Sequence, residues 1–85
     1  MVMGTYPGFR MAATFGAGAT AGSNITITGI AVGDEIIAAF HEAATSGIIT
    51  TDLLAEISIT AANTVQCATT NTTGGVVLVF WVKKN

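Results

Sequence analysis

The run Val76-Val77-Leu78-Val79-Phe80-Trp81-Val82 limits what this chain can become more than any other feature. Seven consecutive β-branched, aliphatic and aromatic residues read as a strand and are too few for a membrane-spanning helix. Side chains alternate along a strand, so Val76, Leu78, Phe80 and Val82 share one face, and Val77, Val79 and Trp81 share the other. Left in water, such a segment is an aggregation hazard. It needs either a central place inside the domain or cover on two sides. The sequence reading puts Leu78 and Phe80 in the domain core and assigns the Trp81 face to a partner layer. Lys83 and Lys84 follow as charged gatekeepers.

Shorter alternating segments precede this strand. Ile25 and Ile27 face one way in Asn24–Thr28, and Ile57 and Ile59 do so in Ile57–Thr60. Glu35–Glu42 reads as a further strand after the Ala31–Asp34 turn, and Thr64–Ala68 as another, with Val65 and Cys67 inward. Residues 43–56 read as a crossover loop with one helical turn. A faint duplication relates the Asn24 and Glu56 segments, and the Glu35 and Gly75 segments. The expected fold is all-β: a small antiparallel β-sandwich or flattened barrel over residues 23–85. Its expected core comprises Ile25, Ile27, Phe40, Ile57, Ile59, Val65, Leu78 and Phe80. Residues 1–22 are rich in Gly and Ala and read as an extended N-terminal arm, with Tyr6, Phe9 and Phe15 as anchors.

Composition favours association. The chain has 85 residues, enough for one domain with a thin stability margin. Small folds compensate with disulfides, a metal or oligomerisation. Cys67 is the single cysteine, and with His41 it is too small a set of soft ligands for zinc. Charged residues make up 9% of the chain against about 25% in ordinary domains. Apolar residues make up 51%, and the mean hydropathy is +0.65. A Thr-, Ala- and Gly-rich surface costs little to desolvate. With a net charge of −2 and only Arg10, Lys83 and Lys84 as bases, nucleic acid is not an expected partner. No segment reads as a targeting signal or a membrane span.

The catalytic inventory is sparse. A nucleophile–base pair would need Cys67, or a Ser or Thr, beside His41. Cys67 on an inward strand position behaves as a small hydrophobe. Asp34, Glu35, Glu42, Asp52 and Glu56 fall in no metal-binding loop, and the glycines form no phosphate loop. Asn24-Ile25-Thr26 and Asn71-Thr72-Thr73 fit the glycosylation pattern, which is common by chance in a Thr-rich chain. The expectation is a protein without enzymatic activity, cofactor or metal.

From Asn24 to Trp81 the layout N-I-T-I-T-G-I, G-D-E-I-I, I-S-I-T-A-A-N-T-V-Q and N-T-T-G-G-V-V-L-V-F-W resembles small virion proteins of tailed bacteriophages. The resemblance implies a capsid decoration (cement) protein, located on the virion exterior and in the host cytoplasm during assembly. It implies the major capsid protein or another virion protein as partner, and a homo-oligomer, a trimer above others. A tail or head-fibre component, or a carbohydrate-binding β-module, is the alternative. The interface candidates are Tyr6, Phe9, Arg10, Phe15 and Trp81.

Overall fold

The computed structural model describes residues 10–43 and 48–83. They form two antiparallel sheets, and no helix occurs among them. The strands are β1 (Arg10–Ala17), β2 (Ile25–Thr26), β3 (Glu35–Glu42), β4 (Ile49–Asp52), β5 (Ile57–Ala61), β6 (Thr64–Cys67) and β7 (Val76–Lys83). The first sheet runs β1-β7-β3-β4 and the second β2-β6-β5. The most apolar strand, β7, thus lies between two long strands that satisfy both of its edges.

Residues 10–17, assigned by sequence to the arm, form β1 and pair with β7 from Arg10–Lys83 to Ala17–Val76. Residues 1–9, with Tyr6 and Phe9, lie outside the described residues. Pairing with β7 holds β1 extended: Ala12, Thr14 and Gly16 face inward, while Met11, Ala13 and Phe15 face outward. Strand β4 and the turn at Leu54–Glu56 occupy the stretch read as a crossover loop, where Leu53 C=O accepts from the N–H groups of Glu56 and Ile57. The β5–β6 hairpin turns at Asn63, whose φ of 60° suits a short polar side chain. Its Oδ1 accepts from Gly29 N–H at 2.7 Å, and its N–H donates to Ile30 C=O at 2.7 Å. The hairpin tip is thereby fastened to the segment after β2.

One core joins the sheets. Ile25, Val65 and Cys67 come from the second sheet, and Ala39, Val77, Val79 and Trp81 from the first. Ile27, Ile30 and Leu53 fill the ends from the connections. Of the residues expected inside, Ile25, Ile27 and Val65 are fully buried, and Ile57 and Ile59 pack against the core half-buried. Phe40, Leu78 and Phe80 are corrected: they are half-buried and face away from the second sheet. Period two fixed the alternation along β7 but not which face turns inward. On the inward face Trp81 lies between Ala12 of β1 and Ile36 of β3, and Val79 between Thr14 and Ala39. The small residues Ala12, Thr14 and Gly16 on the β1 side leave room for the indole.

Candidate functional site

Strand alternation and the register across four strands place an apolar surface on the outside of the first sheet. Residues directly opposite each other in a ladder share a face. Phe15 therefore lies beside Leu78, and Leu78 beside Phe40. One register step along, Ala13 flanks Phe80, which flanks Ala38. Phe15 is 66% exposed, Met11 49% and Ile49 52%. No layer covers this face among the described residues. Charge is confined to its margin: Glu35 opposite Val82, Glu42 opposite Val76, and Asp52 opposite Phe40. All three are acidic.

The interface candidates separate sharply on this frame. Phe15 stands on the outer face, on its β1 edge strand. Arg10 begins β1 opposite Lys83. Trp81 is corrected from interface anchor to core residue: it is 2% exposed, and its Nε1 finds no hydrogen-bond acceptor. The sequence reading missed Met11 and Ile49, and it assigned Phe40, Leu78 and Phe80 to the core. The pattern of β7 already held that second face. Only the β1 and β3 registers reveal how wide it is.

The groups with chemical potential are dispersed. His41 faces inward on β3, with Nδ1 3.3 Å from Thr50 Oγ1. Its Nε2 is buried without a hydrogen-bond partner. Cys67 is buried, and burial followed by the nearby charge of Glu56 pushes its thiol above the usual range. That disfavours the reactive thiolate. Glu56 itself is held down to about 2. The main cause is the Thr70 hydroxyl, which donates to Oε2 at 2.7 Å, and the N–H groups of Thr70 and Thr69 add to it. This carboxylate pins the 69–70 turn to the start of β5.

A cleft of about 430 Å³ opens between the start of β3 and β5. Ile36, Leu54, Ile57 and Ile59 supply its apolar walls, and Asp34, Glu35 and Ser58 its polar groups. No histidine reaches it, and the Asp34 carboxylate is already engaged by Lys83. Among the described residues, no three His, Cys, Asp or Glu side chains gather as a metal site. No known protein family, curated protein or solved structure matches this chain.

Proposed function

We propose that this protein is a non-enzymatic structural component of a tailed-bacteriophage virion that caps the capsid surface as a decoration protein. The observation that carries the reading is the outer face of the β1-β7-β3-β4 sheet, apolar at its centre and acidic only at its margin. Monomeric proteins rarely leave a surface of this kind without a partner. Apolar centres with polar rims are how protein–protein interfaces are built. The expected counterpart is a shell surface with an apolar centre and basic flanks, matching Glu35, Glu42 and Asp52. Repetition of this contact by the symmetry of a shell would turn weak single attachments into avid ones. The carbohydrate-binding alternative has less support, because the indole of Trp81 is buried and cannot stack on a sugar ring.

Co-sedimentation of the purified protein with empty shells tests the reading. Leu78→Lys places a charge at the centre of the outer face without touching the inward core. Wild-type protein should pellet with the shells, and Leu78→Lys should remain in the supernatant while keeping its β-sheet circular dichroism. Equal pelleting of the two proteins, or none by either, would overturn the proposal.

A further inference from the structure

We infer that β1 is a dimerisation edge, and that two copies pair these strands antiparallel about a two-fold axis at Thr14. The ladder hydrogen bonds make this geometry explicit. Gly18 N–H donates to Gly75 C=O at 2.9 Å, in the same register that pairs Gly16 with Val77 and Thr14 with Val79. Alternation along an antiparallel ladder then directs the N–H and C=O of Arg10, Ala12, Thr14 and Gly16 toward β7. Those of Met11, Ala13, Phe15 and Ala17 point away from β7. Among the described residues, no strand receives them.

Each other sheet edge is blunted by a device that proteins use against strand addition. Strand β2 is two residues long, β4 is four and ends in Asp52, and β5 carries a bulge between Ile59 and Ala61. Strand β1 has eight residues, no proline, no bulge against β7, and no charge after Arg10. An edge this long and undefended is a template for another strand.

The sequence of β1 selects a second copy as the occupant. With the axis at Thr14, Met11 pairs with Ala17 of the other copy and Ala13 with its Phe15, and the two reciprocal pairs follow by symmetry. All four are hydrogen-bonded pairs, so the outward N–H and C=O of all four residues in each copy find partners. Side-chain size matches as well. On the outer face each Phe15 ring falls beside the small Ala13 of its neighbour, and each Met11 beside Ala17. The two Arg10 positions fall at opposite ends of the paired strands.

Pairing would join the two sheets into one of eight strands with a continuous apolar outer face. From strand spacing and rise, the face of one copy covers roughly 500 Å². That falls short of the roughly 800 Å² per partner of a standard stable interface, and the paired face exceeds it. The dimer stands on the edge geometry alone and does not require the capsid reading.

A register-specific cross-link tests it. Thr14 would meet Thr14 of the other copy in a non-hydrogen-bonded pair, with Cα atoms about 4.5 Å apart, within disulfide range. The two Ala12 residues would be about 13 Å apart or more, given the rise of a strand. Under mild oxidation, Thr14→Cys should run as a covalent dimer on a non-reducing gel, and Ala12→Cys should not. Cys67 is buried and stays out of the exchange. Wild-type protein in light scattering should reach twice the 8.6 kDa chain mass as concentration rises. Ala13→Pro removes an outward N–H and leaves the β7 ladder intact, so it should stay folded and monomeric. The inference fails if wild-type protein stays at the chain mass or assembles as a trimer. It fails equally if Ala12→Cys cross-links as readily as Thr14→Cys, or if folded Ala13→Pro still dimerises.

Discussion

The ammonium of Lys83 lies 3.0 Å from the buried Oδ2 of Asp34, and it also donates to the carbonyl of Gly29 at 2.9 Å. The same Oδ2 accepts from the N–H of Ala31 at 3.0 Å. The last residue of β7 thereby closes the turn that launches β3. The Asp34 side chain is wholly buried while that of Lys83 is 27% exposed, so the two ends of this ion pair are not equivalent.

Removing the lysine should therefore cost more than neutralising the aspartate. Lys83→Met takes the ammonium away from a buried carboxylate, at a cost of about 2–4 kcal/mol given the partial exposure of the lysine. Asp34→Asn keeps an oxygen for Ala31 and leaves Lys83 free to reach water, so about 1–2 kcal/mol is expected. Urea unfolding of the two variants would show the order, and a reversed order would contradict this account.

Gly16 should not tolerate a side chain. It sits on the inward face of β1, where a Cβ would run into the backbone carbonyl of Thr26. That oxygen belongs to β2 and has no flexible side-chain end to move aside. Gly16→Ala should destabilise by about 2–3 kcal/mol or more, the upper range for overpacking. Gly22→Ala tests φ alone, since a Cβ there meets no atom within 4 Å but φ is 79°. It should cost only about 1 kcal/mol. Thermal melts of both variants separate crowding from backbone strain.

How much of this was legible beforehand depends on the residue. Strand β3 was read with its observed limits, and Ile25, Ile27 and Val65 were placed inside, because alternation over short strands is a local signal. Strand β1 was missed as a member of the sheet: Gly and Ala dominate it, and its reason to be extended is the backbone of β7 fifty or more residues away. The orientation of β7 was inverted because both of its faces are apolar. The small inward residues of β1 made room for the inward face, which alternation within β7 cannot reveal. The outer face had the same origin. Its members were visible one by one, but their union depends on a strand order that places the last strand between the first and the third.

Trp81 offers a direct test of that inversion. As a fully packed core residue, its replacement by Ala should cost about 3–5 kcal/mol or prevent folding. As the chain's single tryptophan it also reports its own surroundings. Its fluorescence should be blue-shifted in the native protein and resist an aqueous quencher such as iodide, then move to the red on unfolding. Emission typical of water, or ready quenching in the native state, would return Trp81 to the surface.

The acid limb of stability should carry the signature of Glu56. Its carboxylate is held at about 2 against an ordinary 4.5, first by the Thr70 hydroxyl and then by the Thr70 and Thr69 N–H groups. A group whose value is lower in the folded state stabilises most where it is ionised in both states. Its contribution is therefore complete above 4.5, shrinks as pH falls below that, and is gone once pH drops past about 2. Glu56→Gln removes the proton linkage, and it sets an amide NH2 where one oxygen accepted from the 69–70 turn. The variant should be less stable than wild type at neutral pH, and the gap between them should close on acidification through this window. Urea midpoints at successive pH values measure the gap. A difference that stays constant down to pH 2 would mean that Glu56 supports the turn only by its shape. A gap that opens on acidification would reverse the sign of the linkage, placing the favoured protonated form in the folded state.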